Sequence, residues 1–471
     1  VSSDDHDRAF LIDFGSTFTK LRVVGLKTGR LLASSQAPST VNDSMMIGLG
    51  STLALIGEKP NRTSADLFLA SSSAAGGLRI AAIGLVNDLT AEAARRASLG
   101  AGGKVIRTFS RGLTLSDLRV LTEIAPDMIV LAGGTDGGNS ESILTNARKL
   151  ATIKLTCPII VAGNRNAADE AVQILSEAGY GVELVGNVLP SINKLDVTSC
   201  AEAIRRIFMQ RIVHSKGLDE AEEFVGKILM PTPHAVLLGC KLLSEGLSGR
   251  GGLGPLMAVD VGGATTDVYS VSDGRPRGGR VVVRGLPEPY VKRTVEGDLG
   301  MRINANSIVD ALGAEGFSST IGNASAVLER VNILTSRTET LPENKAQTIF
   351  DVDLAKAAVR IATRRHAGTS ELAFGPEGVF TVQTGKDLCP LDILIATGGV
   401  FAANPGEAGR ILDGSLFDDS TPQYLLPKNP KKFLDSNYLL YAVGLLSEAA
   451  PEAALNLALE SLKPVSAKTV P

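Results

Sequence analysis

The sequence predicts an α/β protein of two similar lobes with an α/β insertion, and three observations carry that prediction. Two aspartate-led turns, Asp13-Phe14-Gly15-Ser16-Thr17-Phe18-Thr19-Lys20 and Asp260-Val261-Gly262-Gly263-Ala264-Thr265-Thr266-Asp267, share the register D-x-G-x-x-x-T. Each follows a short apolar run and leads into a β-branched stretch, the pattern of a β-hairpin closed by small residues. Third, each half goes on through helix and strand segments to an apolar strand ending in paired glycines, Gly133-Gly134 and Gly398-Gly399. The distance from hairpin Asp to paired Gly is 120 residues (13 to 133) in one half and 138 (260 to 398) in the other. A β-β-β-α-β-α-β order met twice at similar spacing reads as an internal duplication.

Along the chain, residues 9–12 form the first strand, 21–24 the second, and 30–34 a third after a Thr28-Gly29 turn. The strand at 128–131 ends in the Gly-rich turn Gly133-Gly134-Thr135-Asp136-Gly137-Gly138. A strand at 158–162, a helix at 167–177, a strand at 182–185 and a charged helical region reaching 226 then read as an α/β insertion, near 155–240, or as the closing part of the first lobe, within residues 1–245. Residues 246–254 hold only Gly, Leu, Ser and Arg and read as a linker. The second lobe, 255–471, repeats the plan with strands to 261, at 266–271, at 281–283 and at 393–397. Its last segment, 436–462, has helical periodicity with a break at Pro451, suited to bracing the lobes.

Composition excludes several function classes. Hydrophobic content of 44% and charged content of 21% are those of a soluble globular chain, and 50 glycines fall in short turns rather than a low-complexity tract. A formal charge of −3, no Trp and six Tyr give neither the basic face nor the stacking surface that nucleic acid requires. Cys157, Cys200, Cys240 and Cys389 are too scattered for a zinc or iron–sulfur site, and read as reduced thiols. His6, His214, His234 and His366 show no metal-ligand spacing. The first eight residues are polar, and no apolar run reaches the roughly 18 residues that span a bilayer, so a cytoplasmic protein is expected.

The two turns carry the chemistry. A tight turn of Gly, Ser and Thr leaves backbone N–H groups and hydroxyls free to hold phosphate oxygens, and a strand-end Asp suits a hydrated Mg²⁺. The first turn lacks the Walker spacing of a P-loop. Residues 249–254 spell G-x-G-x-x-G but lead into a strand, whereas a dinucleotide fingerprint must lead into a helix. Ala396-Thr397-Gly398-Gly399 ends a strand ahead of a helical stretch near Asn404, where glycines would let backbone approach an adenosine. Asp136 has two readings: a base orienting an attacking water, or an Asp accepting backbone hydrogen bonds within its own Gly-rich turn.

Together these segments resemble the actin/Hsp70/sugar-kinase superfamily of ATPases. More narrowly, residues 11–17, 131–139, 260–267 and 294–302 resemble the GlmL/MutL family, accessory proteins of glutamate mutase (methylaspartate mutase). The resemblance implies a two-lobed actin-like (RNase H-like duplicated) fold and ATP/ADP and Mg²⁺ as cofactors. It implies a slow Mg-dependent ATPase that reactivates an adenosylcobalamin-dependent mutase subunit by expelling damaged cobalamin. By the same resemblance Asp13 and Asp260 would hold the metal and act in catalysis, together with Asp136. Gly15, Ser16, Thr17, Gly262, Gly263 and Thr265 would cradle phosphates, and Gly398 and Gly399 would border the adenosine. Lys20 would either neutralise phosphate charge or be structural, since its register equivalent is Asp267. A small-molecule kinase of the same superfamily is the rival reading, and homo-oligomerisation is left open.

Overall fold

The computed structural model describes residues 7–15, 18–40, 44–58, 66–73, 78–192, 194–215, 224–225, 228–314, 316–317, 322–376 and 378–465. Its first strands are β1 (Arg8–Phe14), β2 (Phe18–Gly25), β3 (Leu31–Pro38) and, after a helix Met45–Leu55, β4 (Asp66–Ser72). Residues 9–14 of β1 are buried without interruption, as a central strand covered on both faces requires. By contrast β3, at the sheet edge, alternates between partly buried and exposed positions along residues 31–36. β1 pairs antiparallel with β2 and parallel with β4.

The chain then leaves this sheet for a second one. β5 (Arg79–Gly84), β6 (Lys104–Ser110), β7 (Met128–Leu131), β8 (Ile159–Val161) and β9 (Val182–Leu184) form an all-parallel sheet in the order β6-β5-β7-β8-β9. That is the 2-1-3-4-5 order of doubly wound sheets, with helices between strands and apolar clusters on both faces. The chain returns with β10 (Ile228–Pro231), which pairs with β4 and completes the first sheet as β10-β4-β1-β2-β3.

Two expectations need correction here. The separate sheet spans residues 79–184, so the excursion begins well before residue 155. β7, with its paired glycines, pairs with β5 and β8 and not with β1. The first-lobe counterpart of the strand before Gly398 is therefore β4. Paired glycines after an apolar strand are needed wherever a strand turns sharply into a helix, in either kind of sheet, and that made the two look alike.

Residues 246–254 are also more than a tether. A short hairpin of β11 (Gly246–Leu247) and β12 (Arg250–Gly251) packs back on the preceding helix, where Leu253 and Gly254 N–H donate to the Leu243 and Ser244 carbonyls. The second large sheet holds β13 (Leu256–Val261) and β14 (Thr266–Val271). Residues 281–283, expected as its third strand, lie in β15 (Val281–Arg284), which belongs to another sheet. The third strand is instead β16 (Val291–Glu296). A β-branched run satisfies any exposed pleat, and 281–283 sits in one formed with β17 (Thr369–Gly375) and β18 (Gly378–Thr384). With β19 (Ile393–Thr397), β20 (Lys431–Asp435) and β21 (Leu462–Pro464), the second sheet reads β16-β14-β13-β19-β20-β21. Its first five strands repeat the order and directions of the first sheet.

The lobes join through two helices, Thr232–Glu245 and Leu440–Leu446, whose side chains form one apolar core with β1, β13 and the helix Pro451–Ser461. They cross backbone to backbone. A Cβ on Gly239 would lie 2.5 Å from the Leu440 carbonyl oxygen, and one on Gly444 would overlap the Ala235 carbonyl. Only glycine allows that approach. The C-terminal helices Leu440–Leu446 and Pro451–Ser461 thus pack into a core shared with strands of both sheets.

Candidate functional site

The two hairpin aspartates stand at the C-terminal ends of equivalent strands, β1 and β13, with different company. Asp13 lies opposite Lys20 in the β1–β2 register, and Lys20 Nζ donates to its Oδ2 at 2.8 Å. Its Oδ1 accepts from the Thr232 hydroxyl at 2.6 Å, which also lies 3.2 Å from Ser71 Oγ. Gly15 N–H donates to the Phe18 carbonyl to close the turn, and a Cβ on Gly15 would stand 2.5 Å from that oxygen. Ser16 and Thr17 lie outside the described residues.

Asp260 lies opposite Asp267 rather than a lysine. Burial, and then the Asp267 carboxylate, push its pKa up to about 7, against the nearby Lys20 and the Tyr438 hydroxyl, which donates to Oδ2 at 3.1 Å. Tyr438 bridges the lobes: the Lys20 ammonium sits 4.2 Å above its ring while its hydroxyl binds Asp260. It does so with φ 53, a left-handed conformation that costs a tyrosine roughly 1–2 kcal/mol. Surrounding packing must over-determine that geometry, and such outliers gather at functional sites. Behind it, buried Asp435 accepts from Leu439 and Leu440 N–H and from the Thr397 hydroxyl, which anchors the chain entering the helix Leu440–Leu446.

The second turn rests on residues 296–304. Met301 N–H donates to the Gly262 carbonyl, and Arg302 and Ile303 N–H both donate to that of Gly263. Asn304 Nδ2 donates to the carbonyls of Ala264 and Gly297, so the stretch Glu296-Gly297-Asp298-Leu299-Gly300-Met301-Arg302 is a floor under the hairpin. Gly263 is exposed above it, and Thr265 is turned aside to donate to Asp267 at 3.0 Å. Gly398, at φ 110, backs directly on Asp260: a Cβ there would sit 2.6 Å from Oδ1. A Cβ on Gly399 would meet nothing within 4 Å, so the chain beside Asp260 faces open space. The helix there opens at Gly399 itself rather than near Asn404.

Asp136 is placed elsewhere, at the end of β7 in the inserted sheet. Its N–H donates to the Pro190 carbonyl, and its Oδ1 accepts from Arg165 N–H at 3.1 Å and Asn187 Nδ2 at 2.9 Å. Its carboxylate is thus held by residues outside the Gly-rich turn, and no described hydrogen bond joins it to either hairpin. Sequence reasoning missed Thr232, Tyr438 and Asp435. For Thr232 the available signal was a polar residue seven positions before a mid-helix glycine, Gly239; Tyr438 and Asp435 carry no such mark.

Among the described residues no cluster of three or more His, Cys, Asp or Glu could cage a metal. Two strand-end carboxylates suit the habit of Mg²⁺, which keeps waters and takes one or two carboxylates plus phosphate oxygens. No described helix is long and apolar enough to cross a membrane.

Two sheets of one topology, joined by crossed helices, with a strand-end Asp and a small-residue hairpin on each, define an actin-like ATPase fold. The family described as MutL protein matches residues 9–462, and the chain belongs to it. Protein MutL of Clostridium tetanomorphum is 41% identical over 456 residues, spanning 96% of this chain and 98% of that one. Among solved structures, nucleotide-free acetone carboxylase superposes with a TM-score of 0.41 at 12% identity, over 93% of this chain and 70% of that. Component A of the (R)-2-hydroxyglutaryl-CoA dehydratase of Acidaminococcus fermentans gives 0.31 at 10% identity, over 95% and 99%. A glycerol dehydratase reactivase gives 0.33 at 10% identity, over 94% and 99%. Superpositions this loose carry no argument about ligand or activity.

Proposed function

We propose that this protein is an ATP-driven reactivating factor for an adenosylcobalamin-dependent mutase of the glutamate mutase type. The observation that supports the reading is the Asp13–Lys20–Tyr438–Asp260 chain, which links the strand-end aspartates of the two lobes. The client class follows from the resemblance of residues 11–17, 131–139, 260–267 and 294–302 to the accessory proteins of glutamate mutase, and membership of the MutL family is consistent with it. The hairpin turns at Gly15, Ser16 and Thr17 and at Gly262, Gly263 and Thr265 would hold phosphates, with Gly398 and Gly399 bordering the adenosine. Asp13 and Asp260 would hold Mg²⁺ through water, and the ion would neutralise phosphate charge. With the Asp136 carboxylate held by Arg165 N–H and Asn187 Nδ2 in the inserted sheet, Asp260 is the better-placed acid to orient a water.

ATP touching both hairpins favours a closed cleft, and ADP reaches less of it. The two conformers therefore differ in nucleotide affinity, and a partner that binds one of them better is linked to hydrolysis. The test is phosphate release from Mg-ATP with and without glutamate mutase inactivated by hydroxocobalamin, following cobalamin release by absorbance. Stimulated turnover with cobalamin release is expected. Turnover that ignores the mutase and rises instead with a sugar or acid would transfer the protein to the kinases.

A further inference from the structure

One short turn of the inserted sheet touches both halves of the candidate site. The helix Glu92–Gly100 ends there, and residues 99–103 lead from it into β6. On one side stands Arg293 of β16, buried, with its guanidinium divided. Nε and Nη2 donate to Asp267 Oδ1 at 2.9 and 2.6 Å, and Nη1 donates to the carbonyls of Leu99 and Gly103 at 3.1 Å each. Asp267 is the cross-strand partner of Asp260. On the other side, His234 Nδ1 lies 3.2 Å from the Gly100 carbonyl, on the helix whose Thr232 donates to Asp13. Gly102 packs on Pro231, with room for no side chain: a Cβ would stand 2.9 Å from the proline Cβ.

A second connection runs in parallel. The Lys104 stem lies against Gly297, whose carbonyl accepts from the same Asn304 amide that holds Ala264 of the second turn. The carbonyls at the end of a helix carry partial negative charge, which a guanidinium complements, and the planar fork of Arg can serve a carboxylate and two carbonyls at once. A lysine ammonium is a single point and cannot span them.

Because residues 99–103 are fastened to Asp267 through Arg293 and to the Asp13 side through His234, they cannot keep both attachments if the hairpins move apart. We propose that this turn is where the inserted parallel sheet registers the separation of the two hairpins. Arg293 is then the positioning residue that ties it to the second of them. The proposal rests on the reading that the hairpins hold a nucleotide, and it assigns the inserted sheet to the output of that site.

The experiment is hydrogen–deuterium exchange of the full chain over residues 92–104 in three states: nucleotide-free, saturated with Mg-ADP, and saturated with a non-hydrolysable Mg-ATP analogue. Calorimetry confirms binding in each case. Wild-type exchange at 99–103 is expected to differ among the states. Both Arg293→Gln and Arg293→Lys should lose that difference while still binding the analogue. The lysine variant keeps a positive charge beside Asp267, so its fold survives if that of the glutamine variant does not. Bound nucleotide with identical wild-type exchange in all three states overturns the coupling alone. A full difference retained in Arg293→Lys removes Arg293 from it. No nucleotide binding at all overturns the nucleotide reading and this proposal with it.

Discussion

Replacing Gly239 by Ala is the sharpest test of how the lobes are joined. A Cβ there would lie 2.5 Å from the Leu440 carbonyl oxygen, whereas ordinary contacts begin at 3.4 Å, so the helices must separate by roughly 0.9 Å. The obstacle is backbone, and it cannot rotate away. The helix Leu440–Leu446 is buried throughout and meets β1 through the Tyr441 hydroxyl, 3.4 Å from the Leu11 carbonyl, so retreat disturbs a packed core. Overpacking of this sort costs about 1–3 kcal/mol, and the glycine's helix-propensity penalty, about 1 kcal/mol, offsets part of it. A net loss of up to about 2 kcal/mol should appear in urea unfolding as a lower midpoint at unchanged slope. The control is Gly50→Ala, within the helix Met45–Leu55, where a Cβ meets nothing within 4 Å. There the propensity gain stands alone, and stability should rise by about 0.5–1 kcal/mol. If Gly239→Ala is as stable as Gly50→Ala, the crossing is not the close backbone contact described and the argument fails.

Asp260→Asn should cut Mg-dependent phosphate release by roughly a hundredfold or more, the usual scale for losing a group aimed at developing charge; wild-type turnover would remove the hairpin pair from the mechanism. Tyr438→Phe keeps the ring beneath Lys20 and deletes the hydroxyl that binds Asp260, so turnover should fall while thermal unfolding shows a loss of about 1 kcal/mol. Unchanged turnover would leave Tyr438 a packing residue. His234, held down to about 4 chiefly by burial, binds its proton more weakly folded than unfolded. Its contribution is intact above about pH 6.5 and is lost as pH falls towards 4, by up to about 3 kcal/mol. His234→Gln should flatten that acid limb of the stability curve, and an unaltered limb would place the titration on other groups.

The hairpins were legible in the sequence because their chemistry is local: an apolar strand, a turn of small residues and a β-branched return fit within a dozen positions. The helix at 167–177 and the helical periodicity of 436–462 with its break at Pro451 were legible for the same reason, and the structure has Arg165–Glu177, Leu440–Leu446 and Pro451–Ser461. Sheet membership was not, because β5, β7 and β19 are equally apolar and nothing in 128–131 says whether its neighbour is β1 or β5. Thr232 and Tyr438 escaped for a related reason. Each acts on an Asp far away in sequence, 219 residues for Thr232 and 178 for Tyr438, and only the crossing of the two helices brings them home.

The duplicated frame has one position where its copies disagree in sign: Lys20 across from Asp13, Asp267 across from Asp260. An object with repeated architecture and opposite charges at corresponding points has a front and a back. If one ligand spans both hairpins, as proposed, two like ends would find no orientation that satisfies both halves, whereas a ligand with unlike ends finds a single best way in. Divergence at one register position is therefore enough to turn a symmetric cradle into a polar one, and the guanidinium recruited from β16 marks where the second copy had to balance its extra acid.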